Sequence, residues 1–145
     1  MFKHILIPSD GSDLSRKAIA GGIAFARSMG ARITVLTSSS PFHIVAVDPM
    51  MVTDTKERYT EDAEASARKH LKEAEDAARA ADVRCETVHL FAEHPYQAII
   101  ETGQARGCDL ILMASHGRRG VVAALLGSET QKVLTHGKLP VLVWR

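Results

Sequence analysis

Residues 109–117 read DLILMASHG, an apolar run that ends in a polar turn containing a glycine. The uninterrupted run Leu110–Met113 is typical of a strand buried on both faces of a parallel sheet. Gly127 and Ser128 follow shortly afterwards and precede a segment with helical spacing. A buried strand that leads through a glycine-rich turn into a helix is the repeating unit of an α/β protein. We therefore predict an α/β fold with this strand in a central position.

The rest of the chain repeats the alternation of short apolar runs and longer helical stretches. Ser12 is a candidate N-cap and Gly30 a candidate left-handed C-cap for the first helix. Leu14, Ala18, Gly22, Phe25 and Met29 form its predicted apolar stripe. The sequence predicts one domain, 1–145, with five strands near 5–7, 33–36, 84–90, 110–113 and 140–144. The helices are predicted at 12–29, 57–81, 95–102 and 128–136.

Two segments are less regular. The mixed polarity of residues 84–90 indicates a strand at the edge of the sheet. Residues 38–55 contain Pro41 and Pro49, which are expected to interrupt any long element. This segment is nevertheless rich in apolar residues, so we expect it to pack against the domain or a partner subunit. A mobile flap over a ligand is the alternative.

Composition restricts the class of protein. Of 145 residues, 46% are hydrophobic and 24% charged, which argues against disorder and against a membrane protein. The net charge of +1 provides no field to attract a nucleic acid or an anionic membrane. Cys85 and Cys108 are too few and too far apart for a disulfide framework or a zinc site. No segment resembles a signal peptide or a membrane span, so we predict a cytoplasmic protein.

Two stretches are candidates for a ligand site, because parallel sheets bind ligands beyond the carboxyl ends of their strands. The first is 8–12, with sequence PSDGS, and the second is 114–120, with sequence ASHGRRG, followed by Gly127 and Ser128. Gly127 and Ser128 are expected to offer free amides, a hydroxyl and the positive end of a helix dipole. Arg118 and Arg119 can add charge-assisted contacts. Phosphate binding is favoured; the alternative is that the glycines only form turns and the arginines are solvated.

Four blocks in this order, 5–12, 109–120, 125–128 and 140–143, resemble the universal stress protein family over essentially the whole chain. The ATP-binding branch of that family has the pattern Gly, two residues, Gly, nine residues, then Gly with Ser or Thr. Gly117, Gly127 and Ser128 match this pattern. Ala114 departs from it, because it stands at the first glycine. Ser38 departs as well, because it stands where an apolar residue usually lies beside adenine.

The resemblance implies a single open five-stranded parallel sheet with helices on both faces, strand order 3-2-1-4-5, as in adenine nucleotide alpha hydrolase-like proteins. It also implies ATP as ligand, which Mg²⁺ or Mn²⁺ can accompany. Asp10 would hydrogen-bond the ribose or the base. A carboxylate such as that of Glu129 fits beside phosphate only if it faces away or meets the metal. The implied nucleotide shell is Pro8, Ser9, Asp10, Ser38, Met113, Ala114, Ser115, Gly117, Arg118, Arg119, Gly120, Gly127, Ser128, Glu129 and Thr130.

The sequence favours a regulatory protein over an enzyme. Ser115 and His116 are adjacent, and neighbouring residues that leave a strand are expected to point to opposite faces, which argues against a catalytic dyad. No nucleophile elbow, Walker A loop or dinucleotide fingerprint is present, and the seven histidines show no metal-binding spacing. We predict no catalytic or metal-ligating residues and, at most, slow ATP hydrolysis. The preferred function is a nucleotide-sensing stress-response protein.

Three other functions stay open at this point. A dimeric interaction module of the same fold that binds no nucleotide is the main alternative, and Ala114 and Ser38 are the residues that favour it. A flavodoxin-like FMN carrier would be yellow when purified. An adenylate-forming or nucleotide-cleaving enzyme is disfavoured by the lack of a catalytic set.

The last predicted strand contains four apolar residues, Val141, Leu142, Val143 and Trp144. An exposed apolar edge strand promotes aggregation unless it is covered or paired. The resemblance implies that this strand pairs with its counterpart in a second copy, giving a homodimer. An interior strand with both neighbours in one chain is the alternative.

Overall fold

The computed structural model of the chain describes residues 1–43, 49–117 and 126–145, with the backbone alone for residues 49–54. Strands and helices alternate throughout the described ranges. The strands are β1 (His4–Pro8), β2 (Arg32–Ser39), β3 (Cys85–Phe91), β4 (Leu110–Ala114) and β5 (Val141–Trp144). The helices are α1 (Asp13–Met29), α2 (Pro49–Ala80), α3 (Pro95–Ala105) and α4 (Ser128–His136).

All five strands belong to one parallel sheet in the order β3-β2-β1-β4-β5. Alternate residues of each strand face opposite layers, as strand geometry requires. Ile5 and Ile7 pack with residues of α1 and α2, whereas Leu6 and Ile111 pack with Ile99 of α3 and Val133 of α4. The predicted fold class, strand order and placement of helices on both faces are therefore confirmed.

The predicted limits of α1 are confirmed by its caps. The Ser12 hydroxyl accepts a hydrogen bond from the Ser15 amide at 3.2 Å, and Gly30 adopts a left-handed conformation with φ 63°. The predicted apolar stripe was wrong in part, because Leu14, Phe25 and Met29 are only partly buried and flank the contact. The fully covered positions are Ser15, Ala18, Ile19, Gly22, Ile23 and Ala26.

The long helix α2 begins earlier than predicted. Its first residue is Pro49, whereas the sequence indicated a start near residue 57. Proline is compatible with the first turn of a helix, where its missing N–H has no intrahelical partner, so Pro49 begins the element that it was expected to interrupt. The part of the irregular segment at 44–48 lies outside the described residues. Further along α2, Ala67, Leu71, Ala74 and Ala78 are buried.

The two edge strands are β3 and β5. The edge position that polarity predicted for β3 is confirmed. Among the strands of the described ranges, β5 pairs only with β4, which favours the edge interpretation of this strand over the interior one. In the described ranges of the chain, no helix has the length and hydropathy needed to cross a bilayer.

Candidate functional site

The candidate site lies where the connections of the sheet reverse direction. β1 and β4 are neighbours in the middle of the sheet, although α1, β2, α2, β3 and α3 separate them in sequence. Their carboxyl ends open at the same edge, and a crevice forms at this position in parallel sheets of this kind. Both predicted ligand-binding stretches begin here, because one follows β1 and the other follows β4.

The loop after β1 is held by its own polar side chains. The Ser9 hydroxyl lies 3.1 Å from the Ser15 hydroxyl and accepts a hydrogen bond from the Gly11 amide at 3.3 Å. Asp10 Oδ1 accepts a hydrogen bond from the Ser12 amide at 2.9 Å, which fixes the direction of the carboxylate. Ser9 is buried, so its hydroxyl supports the loop, whereas Asp10 remains partly exposed and can reach a ligand.

The loops after β1 and β4 meet at Asp10 and Gly117. A β-carbon added to Gly117 would stand 2.7 Å from Asp10 Oδ2, closer than two such atoms can approach. A β-carbon at position 117 would therefore force the Asp10 carboxylate to move. The contact brings together two residues that the sequence assigned to one site from separate motifs.

The turn that joins β4 to α4 is closed by internal hydrogen bonds. The Gly127 amide donates to the Ser115 carbonyl at 2.6 Å, so the expectation of a free amide at this position was wrong. The Thr130 hydroxyl is buried and donates to the Ala114 carbonyl at 3.1 Å and the Ser115 carbonyl at 3.4 Å. Both contacts hold the start of α4 against the end of β4.

The amino terminus of α4 keeps donors for a ligand. Ser128 is its first residue and is exposed. Among the residues that the structure describes, none accepts a hydrogen bond from the amides of Ser128 or Glu129. Unpartnered amides at a helix start, with the positive end of the dipole, form a favourable environment for an anion.

Glu129 faces away from this anion environment. Its Oε2 accepts a hydrogen bond from the Tyr96 amide at 2.8 Å, and its Oε1 lies 3.0 Å from Lys132 Nζ. His94, the N-cap of α3, makes no capping hydrogen bond with its side chain, so Glu129 supplies an acceptor that the start of α3 would otherwise lack. The Glu129 carboxylate therefore forms a structural contact between α3 and α4, and only the backbone amide of Glu129 remains a candidate for the nucleotide shell.

Ser115 and His116 are not held apart as the sequence suggested. Ser115 Oγ lies 3.0 Å from His116 Nδ1. The alternation rule fails because Ser115 follows the last residue of β4 and is no longer part of the pleated strand. Ser115 is 3% exposed, so the hydroxyl is not accessible to a substrate in this conformation.

The other predicted shell residues divide into three groups. Pro8 and Ser38 are partly exposed at the ends of β1 and β2, and Ser38 is paired with Leu90. Met113 and Ala114 are buried in β4 beneath the crevice. Arg118, Arg119 and Gly120 lie outside the described residues. The structure thus brings together Ser9, Asp10, Ala114, Ser115, Gly117, Gly127 and Ser128.

His70 is a neighbour of the site that sequence reasoning missed. Its ring covers Gly11, whose φ is +75°, and a β-carbon there would stand 2.5 Å from His70 Nε2. The two residues border a cleft of about 190 Å³ between α1 and α2. Only the helical spacing of His70 from Ala67 and Ala74, both buried on α2, could have indicated that it faces the sheet.

Within the described ranges, no three His, Cys, Asp or Glu side chains converge in a way that could hold a metal ion. In β5, the Trp144 indole packs on Gly21 of α1 in the same chain, whereas Leu142 is 37% exposed. The side chain of Trp144, one of the four predicted dimer residues, thus packs within its own chain.

Comparison with known proteins identifies one family. The model of the universal stress protein family matches residues 1–145. A Thermus aquaticus protein, the universal stress protein in the QAH/OAS sulfhydrylase 3′ region, is 33% identical over 149 residues and matches over 100% of both chains.

Solved structures give the same fold. That of MJ0577, a protein of Methanocaldococcus jannaschii, superposes with a TM-score of 0.83 at 22% identity and covers 99% of this chain and 96% of the other. A universal stress protein in complex with cAMP superposes with a TM-score of 0.72 at 23% identity, over 98% and 95% of the two chains. One from Archaeoglobus fulgidus in complex with dAMP gives 0.67 at 17% identity, over 100% and 98%.

Proposed function

Because the chain belongs to the universal stress protein family, we propose that it binds ATP at the crevice between the loops after β1 and β4. ATP occupancy would then control the partners of a cytoplasmic stress-response protein that has neither a nucleic acid nor a membrane as ligand. The observation that carries the proposal is the contact between Asp10 and Gly117. It joins a carboxylate suited to ribose hydroxyls with a glycine turn suited to phosphate.

The residues at the crevice fit the two ends of a nucleotide. Asp10 is oriented by the Ser12 amide, and its Oδ2 lies at the side of Gly117, where we place the ribose of the nucleotide. The amides of Ser128 and Glu129 begin α4 without acceptors among the described residues, and phosphate oxygens are acceptors of the right charge. Related structures with cAMP and dAMP favour an adenine nucleotide as the class of ligand.

The same features indicate how the site acts. Asp10 would orient the ribose, the α4 amides would hold phosphate, and the buried hydroxyl of Thr130 would keep those amides in position. Mg²⁺ or Mn²⁺, when it accompanies ATP, supplies positive charge between phosphate oxygens. Glu129 is committed to Tyr96 and Lys132, so it leaves the phosphate environment uncrowded by negative charge. Because Ser115 is buried, we expect the protein to bind ATP and to hydrolyse it slowly at most.

The first test is mass analysis of nucleotide released when freshly purified protein is denatured, with calorimetric titration of ATP in Mg²⁺. The decisive variant is Ser128→Pro. Proline is tolerated at the first helical position, and Gly127 is already extended with ψ 156°, so the fold should persist while one amide donor is lost. We expect the affinity for ATP to fall at least about tenfold, with adenosine binding retained.

Ser128→Ala is the matched control, because it removes the hydroxyl and keeps the amide. A smaller loss than in Ser128→Pro would support amide recognition of phosphate. Absence of retained nucleotide together with flat titrations of the unmodified protein would overturn the proposal. The protein would then be a nucleotide-free interaction module, a reading that Ala114 and the occupied Gly127 amide favour.

We further propose a homodimer formed through the outer edge of β5. In the described part of the chain, β5 pairs with β4 and with no second strand. Two apolar side chains nearby are exposed: Leu142 on β5 is 37% exposed and Leu134 on the preceding helix is 45% exposed. Since alternate residues of a strand bond to opposite sides, and Trp144 O bonds to β4, the Val143 amide points outward. Val143→Pro should give monomers in sedimentation velocity, with unchanged circular dichroism. A dimer that persists in this variant would exclude pairing through β5.

A further inference from the structure

An arginine cluster lies at the opposite edge of the sheet from the nucleotide crevice. It consists of Arg32, Arg84 and Arg106 around the carboxylate of Glu86. Arg32 is the first residue of β2, Arg84 immediately precedes β3, and Arg106 follows the last residue of α3. In a parallel sheet these positions share the amino-terminal edge, so the cluster is separated from Asp10 and Gly117 by the length of the strands.

The three guanidinium groups share a single carboxylate. Arg32 Nη1 and Arg84 Nη2 lie 3.4 and 3.8 Å from Glu86 Oε1, and Arg106 Nη1 lies 3.1 Å from Oε2. Three positive charges against one negative charge leave a local excess of two. Each guanidinium carries five N–H donors, far more than one carboxylate can accept. The side chains of Arg32, Arg84 and Arg106 are 39%, 75% and 44% exposed, so the spare donors are accessible.

The residues beneath and beside the cluster do not neutralise it. His4 is 3% exposed and bonds to the Thr34 hydroxyl through Nε2 at 2.7 Å, and among the described residues its Nδ1 has no partner of good hydrogen-bond geometry. Burial lowers the pKa of His4, and the charge of Arg32 lowers it further, so the ring adds no charge at neutral pH. The carboxylate oxygens of Asp109 accept the amides of Lys3 and His4 at 2.8 and 3.0 Å, and among the described residues Asp109 forms no ion pair with the three arginines.

We propose that the arginine cluster binds a small dianionic oxoanion with the chemistry of a phosphate monoester. A dianion offers the two negative charges that the cluster lacks. Its oxygens also accept paired N–H donors from the planar guanidinium forks, a geometry that arginine provides and lysine does not. Glu86 holds the three arginines, which come from separate elements, in one place, so much of the cost of assembling the site is met before the ligand arrives.

The test is titration of the full-length protein with inorganic phosphate at pH 8, followed by two-dimensional ¹H–¹⁵N NMR. We expect saturable shifts of the amides near residues 32, 84–86 and 106, separate from any shifts at 127–130 that report the nucleotide crevice. In the double variant Arg84→Gln/Arg106→Gln, the phosphate affinity derived from the first set of shifts should fall at least about tenfold, and the second set of shifts should be unchanged. Arg27→Gln/Arg68→Gln is the control, because it changes the net charge equally at exposed positions outside the cluster.

Glu86→Gln adds a test of opposite sign. It removes the negative charge that competes for the guanidinium groups but keeps an acceptor oxygen, so phosphate should bind more tightly. Two results would overturn the proposal: shifts that never saturate, or shifts that weaken equally in the cluster and control double variants. Either result would mean that phosphate binds non-specifically to positively charged side chains on the surface.

Discussion

Asp10 Oδ2 lies so close to Gly117 that a β-carbon on residue 117 would stand 2.7 Å from it. The two residues are far apart in the sequence, and the β1–β4 pairing brings their loops together. Position 117 is therefore restricted by a carboxylate across the crevice as well as by any ligand. This coupling makes the pair a direct test of the candidate site.

Gly117→Ala should displace Asp10 and weaken ATP binding. We expect a loss of stability of about 0.5–1.5 kcal/mol, the cost of a side chain displaced from its rotamer, and at least about a tenfold loss of affinity. Urea unfolding and calorimetry measure the two effects. In Asp10→Ala/Gly117→Ala the overlap is relieved, so stability should recover while binding does not. Equal stability of Gly117→Ala and the unmodified protein would contradict the structural basis of the prediction.

Gly21→Ala should destabilise the protein although alanine is the better helix former. Its β-carbon would overlap the indole ring of Trp144, which packs on this position of α1. The expected loss is about 1–3 kcal/mol, against a gain of about 1 kcal/mol from helix propensity alone. The chain contains one tryptophan, so its fluorescence reports the displacement directly.

A red-shifted emission maximum in Gly21→Ala would accompany the loss of stability. Trp144→Leu in the same background should restore most of the stability, because the smaller side chain leaves room for the methyl group. A variant that is more stable than the original, with unchanged emission, would show that the indole does not lie on α1.

Thr130→Val should loosen the turn between β4 and α4. The substitution keeps the shape and removes the buried hydroxyl that donates to the Ala114 and Ser115 carbonyls. We expect a loss of about 1–2 kcal/mol and weaker ATP binding. Thr135→Val is the matched control, since its hydroxyl donates to the Gln131 carbonyl on the exposed side of the same helix. Similar losses in both variants would argue against a special role for Thr130.

Stability should fall as the pH drops below about 6.5, partly because of His4. Burial and the charge of Arg32 lower the pKa of His4 in the folded protein below its value of 6.5 in the unfolded chain. Unfolding therefore takes up a proton below that pH, which favours the unfolded state progressively until the folded pKa is reached. Above 6.5 both states carry the neutral ring and the effect is absent.

His4→Gln keeps a hydrogen-bonding group for Thr34 and removes the titration. Its free energy of unfolding, measured in urea between pH 7.5 and 5, should change less with pH than that of the unmodified protein. His89, whose pKa is also lowered by burial, accounts for part of the remaining slope. Parallel curves for His4→Gln and the unmodified protein would exclude His4 as the cause.

The sequence predicted the layout well because the signals for it are local. Leu110–Met113 reads as a buried strand, Ser12 and Gly30 as caps, and Pro95 as the first residue of a helix, and each is confirmed. The error at Pro49 has a local explanation as well. Proline can begin a helix or interrupt one, and the irregular residues before Pro49 did not distinguish the two roles.

The candidate site was predicted in position but not in detail. Position follows from the sheet, since strand ends gather at one edge, and the sequence located the strand ends. Detail depends on pairs of groups distant along the chain. Glu129 accepts from the Tyr96 amide across 33 positions, and no periodicity or motif encodes that contact. The same is true of His70 over Gly11 and of the Gly127 amide on the Ser115 carbonyl.

By itself the sequence determined the alternation of strands and helices and the residues that gather at the carboxyl edge of the sheet. These follow from side-chain period, capping and turn chemistry, which act over a few residues. Only the tertiary structure decided which of those residues are free to meet a ligand. Burial forces polar groups to find partners within the fold, so Ser115, Thr130 and the Gly127 amide are already committed, whereas none of the described residues accepts a hydrogen bond from the first amides of α4.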